Sequence, residues 1–148
     1  MQSKRTKREI ETRRGMKLMR RMLVGFRGKL DEELRSKQVT TAQLRFLYEV
    51  KIQPGGSGAE MARACYVTPQ SAQAMMARAV ERGWVVRGKD VHNNRVVTAR
   101  LTPAGERLLA HAEEVMTRIE AVVWRGVSST DLRAMNEVLE RSLRNLEG

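Results

Sequence analysis

Between Val39 and Gly105 the apolar pattern of this chain passes from helical spacing to strand alternation and back, and few folds accommodate that order. Thr40 and Gln43 form a first capping box, in which each side chain reaches the other's backbone N–H. Leu44, Leu47, Tyr48 and Val50 follow as a short helix, closed by Pro54-Gly55-Gly56. Ser57 and Glu60 open a second short helix that runs to about Cys65. Thr68 caps a third, with Pro69 at its first position, where a missing N–H costs nothing; it ends at Arg82, before Gly83. Then the period becomes two. Trp84-Val85-Val86-Arg87 reads as a strand, Gly88 to Asn94 as a polar loop, and Arg95 to Leu101 as the returning strand. The alternation expects Val97, Ala99 and Leu101 against a core, with Val96, Thr98 and Arg100 outward.

Helices flank this centre. Before it, Met19, Leu23, Phe26, Leu30 and Leu34 mark one apolar face of a helix over about Ile10 to Arg35, interrupted by Gly15, Gly25 and Gly28. After it, Thr102-Pro103 restarts a long helix through Leu108, Ala112, Val115, Ile119 and Val122. Ser128 opens a last helix with the face Leu132, Met135, Leu139, Leu143 and Leu146. The fold class read from this order is mainly α with a small β-hairpin wing (α+β): a winged helix-turn-helix lobe plus a helical dimerisation region. The expected division is 1–36 for the basic extension and first dimerisation helix, 37–102 for the lobe, and 103–148 for the C-terminal dimerisation helices.

Charge narrows the partner. Lys and Arg number 28 against 17 Asp and Glu, for a net +11. Eleven of those cations and only two acids, Glu9 and Glu11, fall in Met1 to Leu30, so +9 lies in the first fifth of the chain. Such an excess suits double-stranded DNA as a partner, although a solvated basic tail would look the same in sequence. No apolar run approaches the roughly 20 residues of a membrane span, and the charged start lacks the apolar segment of a signal peptide. The single cysteine, Cys65, forms no intramolecular disulfide and fits a reducing, cytoplasmic setting.

In a helix-turn-helix the second helix sets its first turns into the major groove. The residues so placed are Gln70, Ser71, Gln73 and Ala74. Gln pairs in bidentate fashion with adenine, Ser bonds several base edges, and Ala meets a thymine methyl. Thr68 and Arg78 suit backbone phosphates, while Met75, Met76, Ala79 and Val80 of the same helix are expected mostly in the core. The hairpin adds Arg87, Lys89, His92, Asn94 and Arg95 on a protruding element, where a narrow minor groove attracts arginine.

These segments resemble the MarR family of bacterial regulators. The similarity lies in Val39-Thr40-Thr41-Ala42-Gln43, Ser57 to Ala62, Val67 to Ala72, Glu81 to Arg87, and Arg95 to Gly105 with its Leu101-Thr102-Pro103-Ala104-Gly105 ending. It covers about Lys37 to Leu109, and the flanking helices by pattern only. The resemblance implies a homodimer with paired terminal helices and two winged lobes on a pseudo-palindromic operator. It implies repression by blocking polymerase, and release by a small aromatic effector. It also implies that Arg95 is the arginine of the family's Asp-x-Arg wing motif. Asn93 stands at the aspartate position, so only a neutral hydrogen bond orients that arginine. A second departure is the basic extension from Met1 to about Arg14.

Other chemistries find little support. No phosphate-binding glycine loop, nucleophile arrangement or metal motif is present, so neither an enzyme nor a cofactor or metal site is expected. His92, His111 and Cys65 are too far apart in sequence to suggest a metal site. Cys65 reads as a small apolar filler rather than a redox sensor. The competing functional class is a non-specific architectural DNA-binding protein, which would need the charge but not the groove-facing Gln and Ser.

Overall fold

The computed structural model describes residues 6–89, 92 and 97–148; at Val97 only the backbone is described. Among the described residues six α-helices and one hairpin follow in the expected order. They are α1 (Lys7–Glu33), α2 (Thr41–Ile52), α3 (Gly58–Ala64), α4 (Pro69–Glu81), β1 (Val85–Lys89), β2 (Val97–Leu101), α5 (Pro103–Val123) and α6 (Ser129–Glu147). A 3-10 turn, Arg35–Lys37, joins α1 to α2 and ends at Gln38 in the left-handed region (φ 50°). The chain packs as two units, Met1–Met116 and Thr117–Gly148.

Helix starts are set by side chains that satisfy otherwise orphaned amides. The boxes at Thr40/Gln43 and Ser57/Glu60 close as expected. A further box, Thr6/Glu9, starts α1 at Lys7 rather than near Ile10, and the helix then runs unbroken through Gly15, Gly25 and Gly28. The three glycines therefore do not interrupt it. The Ser57 amide, then its hydroxyl, hold the Glu60 carboxyl below the usual carboxylate range. That contribution to α3 is present above the ordinary carboxylate pKa and is lost as pH falls through the lowered value.

In the first unit, Phe46, Leu47 and Val50 of α2 are buried with Met61 and Ala62 of α3, Ala72, Met76 and Ala79 of α4, and Trp84 and Val85 at the hairpin's base. Leu30, Leu34 and Val39 join from the N-terminal side, and Leu108, Leu109, Ala112 and Val115 from α5. Full burial of each Leu, Val, Phe or Met among them is worth roughly 1.5–3 kcal/mol. Two expectations for α4 are corrected: Val80 is exposed and Met75 only half-buried, because the lobe's core covers a narrower stripe of this helix.

The hairpin is antiparallel, with Val85 opposite Leu101, Arg87 opposite Ala99 and Lys89 opposite Val97. Thr98 is a correction. Expected outward, it is 6% exposed. Its partner across the ladder is Gly88, which has no side chain to hold the neighbouring strand's Thr98 away, and Gly55 sits against its methyl group. Gly55 adopts φ 87° and donates its N–H to the Ala99 carbonyl (3.1 Å), which docks the end of α2 onto β2. Ala99 is buried, Leu101 half-buried and Arg100 exposed, as the alternation requires. Val96 lies outside the described residues, as does the side chain of Val97.

Candidate nucleic-acid interface

Helices α3 and α4 are joined by the turn Cys65-Tyr66-Val67, and α4 presents two faces. Ala72, Met76 and Ala79 fix one face in the core. The steps of three and four that bury them leave Gln70, Gln73, Ala74 and Arg78 exposed on the other face, with Ser71 at its edge. The structure thus brings Thr68, Gln70, Ser71, Gln73, Ala74 and Arg78 together on one exposed surface.

The first turn of α4 has a definite donor inventory. The Ser71 N–H donates to the Thr68 Oγ1 (3.1 Å), and the Thr68 hydroxyl donates to the Ser71 Oγ (3.0 Å). Pro69 has no N–H, and the Ala72 N–H bonds the Thr68 carbonyl (3.0 Å). Among the described residues that leaves the Gln70 amide without a protein acceptor in this turn. Thr68 is therefore committed to capping. The groups that can meet a phosphate are the Gln70 amide and the Ser71 O–H.

The hairpin continues the surface. Along β1 the face that starts with buried Val85 carries exposed Arg87 and Lys89 two and four residues on. The strand leaves the core as its side chains turn from apolar to basic. His92 is exposed. Asn93, Asn94 and Arg95 lie outside the described residues.

Sequence reasoning missed Tyr66. It occupies the left-handed region (φ 54°) in the turn before α4 and is 88% exposed. Such a φ is uncommon for a bulky residue. Arg45 of α2 lies over its ring (5.8 Å to the centroid), donates to the Ala64 carbonyl (3.2 Å) and pairs with Glu49 (3.3 Å). The available signal was a tight turn without Gly or Asn. Arg45 itself gave none, since its contacts are set by tertiary packing.

Cys65 caps α3 and is half-buried. Burial first, then the Glu49 carboxylate, push its thiol pKa up against the opposing pull of Arg45. The thiolate, which is the nucleophile, is disfavoured. Cys65 should react with a thiol-labelling reagent at neutral pH more slowly in the folded protein than in denaturant; equal rates would overturn this.

A separate cavity of about 460 Å³ lies between α1, α2 and α5 in the first unit. Leu30, Leu44, Tyr48, Leu109 and Met116 give it apolar walls, and Arg45, Glu49 and Glu113 supply polar groups. Among the described residues no group of His, Cys, Asp and Glu is placed to hold a metal ion. No helix there is long and apolar enough to cross a membrane.

A tight two-helix turn followed by a basic hairpin defines the chain as a winged helix-turn-helix protein. Residues 37–95 match the model described as MarR family. Over 88 residues the chain is 33% identical to the HTH-type transcriptional repressors Rv2887 of Mycobacterium tuberculosis and Mb2911 of Mycobacterium bovis. That stretch is 60% of this chain and 63% of each relative, so the match spans just under two thirds of their length. Among solved structures, the MarR family transcription regulator SP03579 superposes with a TM-score of 0.85 at 18% identity, covering 95% of this chain and 93% of that one. A MarR family protein from Bacillus stearothermophilus gives 0.81 at 21% identity (95% and 98%). A cysteine-to-serine mutant of MarR from E. coli, complexed with operator DNA, gives 0.76 at 19% (86% and 91%). Over residues 37–95 the chain is thus similar to the MarR family, and it shares the fold of the solved structures.

Proposed function

We propose that this protein is a sequence-reading, DNA-binding transcriptional repressor that acts as a homodimer on a pseudo-palindromic operator. The observation that carries the reading is the exposed polar face of α4 lying beside a hairpin that turns basic as it leaves the core. The matched mycobacterial relatives are named transcriptional repressors, not enzymes, which supports the same class. Selection from a random duplex library at near-physiological salt tests it. The expected retained pool carries a two-fold symmetric motif with half-sites about one helical turn, roughly 34 Å, apart. Retention without enrichment would overturn sequence reading in favour of an architectural protein.

Each terminal region carries apolar surface that its own unit leaves open. In α1 only Leu30 is buried, while Leu23 is 69% exposed and Ile10, Met16, Leu18 and Val24 are more than half exposed. In the second unit α6 has no buried residue, and Val138, Leu143 and Leu146 are exposed. A partner copy covering these faces accounts for them, and gives segments 1–36 and 103–148 their dimerising role around the lobe 37–102. Light scattering at micromolar concentration should give twice the chain mass; a monomer would reject the dimer.

The basic start of α1 extends the DNA surface. Removal of residues 1–14 should flatten the dependence of log affinity on log salt by about 0.9 for each phosphate that the segment neutralises. An unchanged slope would return the segment to solvated tail. A small aromatic effector fits the apolar cavity between α1, α2 and α5, whose volume lies in the range of ordinary ligand sites. It would release DNA only through tighter binding to the form whose half-site spacing is wrong.

A further inference from the structure

A second cavity of about 400 Å³ opens on a different part of the first unit, where the 3-10 turn, the end of α4 and the first turns of α5 meet. Trp84 and Leu108, both buried, form its floor, and Lys37, Arg82, Arg107 and His111 line its sides. No carboxylate lines it. Among the described residues, none of the ion pairs involves Lys37, Arg82 or Arg107. The acid next to Arg107 in sequence, Glu106, is drawn to Lys51 instead (3.6 Å).

Arg82 fixes the frame. Its guanidinium lies over the Trp84 ring (4.8 Å to the centroid) and donates to the Gln38 Oε1 (2.9 Å) and the Lys37 carbonyl (3.0 Å). These bonds hold the end of α4 against the 3-10 turn and present a charged plane to the cavity. Lys37 and Arg107 then bring two further cations to the same space. Three like charges around one hollow repel each other at short range, and an anion in their midst reverses that cost. Guanidinium and ammonium groups bond carboxylate or phosphate oxygens through charge-assisted hydrogen bonds.

We propose that this cavity is a binding site for a small oxyanion, a carboxylate or a phosphate. Its occupant bridges the 3-10 turn and α5 beside Arg82, and so ties down the end of α4. Its test measures binding of the anion directly, in the absence of DNA.

The experiment is calorimetric titration of the full chain with inorganic phosphate and, separately, with benzoate, at constant ionic strength set by chloride. Saturable binding of one anion per chain is expected for at least one probe. Phosphate alone would identify a phosphate class, and benzoate alone an aromatic carboxylate class. Lys37→Gln and Arg107→Gln should each weaken that binding by about tenfold, the loss of one charge-assisted hydrogen bond. Arg133→Gln on α6 should leave it unchanged. Since Lys37 and Arg107 are exposed, both variants should melt like the wild type in chloride. Non-saturable heats with both probes, or equal affinity in wild type and the two cavity variants, would overturn the proposal.

Discussion

Gly105→Ala is expected to cost about 3 kcal/mol of stability, a value at the upper end of ordinary overpacking. The Leu101-Thr102-Pro103-Ala104-Gly105 stretch is where the hairpin hands over to α5, and its backbone is crossed by three bonds. The Thr102 N–H donates to the Trp84 carbonyl (3.0 Å), the Thr102 hydroxyl donates to the Gly83 carbonyl, and the Gly105 N–H donates to the Thr102 Oγ1 (3.1 Å). A Cβ at Gly105 would run into the Trp84 carbonyl oxygen, with the Leu101 Cδ2 at 3.1 Å behind it. The carbonyl is backbone and already bonded to Thr102, so it cannot swing aside as a side chain would. Relief requires α5 to move off the base of the hairpin, which opens the packing around buried Trp84 and Val85. Urea denaturation read by circular dichroism checks this. A loss under about 1 kcal/mol would show that α5 shifts without cost and that the glycine serves something other than close approach. Gly28→Ala on the open surface of α1 is the contrasting control: nothing lies within 4 Å of the added Cβ, and helix propensity alone predicts a gain of about 1 kcal/mol.

The same stretch shows what sequence makes legible. Caps are local: Thr40/Gln43, Ser57/Glu60, Thr68-Pro69 and Thr102-Pro103 each declare a helix start within four residues, and all four open helices where expected. The exposed face of α4 was equally readable, because helical spacing alone separates Gln70, Gln73 and Ala74 from Ala72, Met76 and Ala79. The Thr6/Glu9 box was obscured by the cations around it. Thr98 was misassigned because alternation gives the face of a strand but not what packs on it. Here Gly88 and Gly55, one across the ladder and one from another turn, decide its burial. Sites assembled over distance left no signal. Arg45 meets Tyr66 through the packing of α2 on α3, and Lys37 and Arg107 line one cavity only because α5 returns past the end of α4.

Gln73→Ala and Lys89→Ala should separate base reading from charge on the proposed operator. Gln73 lies one turn into α4 on its exposed face, one step of three from Gln70, at a depth where a recognition helix meets base edges. A bidentate Gln–adenine pair contributes about 1–3 kcal/mol of discrimination, so its loss should weaken operator binding by about tenfold to a hundredfold. The loss should fall on one position per half-site: a pool reselected by the variant should lose its adenine preference there and keep the rest of the motif. The slope of log affinity against log salt should not change, because every phosphate keeps its cation. Lys89 sits at the end of β1, exposed and beyond the core. Its removal should weaken operator and unrelated duplex alike and reduce the salt slope by about 0.9 for each phosphate it neutralises. Binding isotherms at several salt concentrations, on operator and on scrambled duplex, distinguish the two responses. If Gln73→Ala lowered affinity for both duplexes equally, α4 would be reading the backbone. The exposed Gln and Ser side chains would then be a solvated helix face, and the charge of the wing and of α1 would account for all of the DNA affinity.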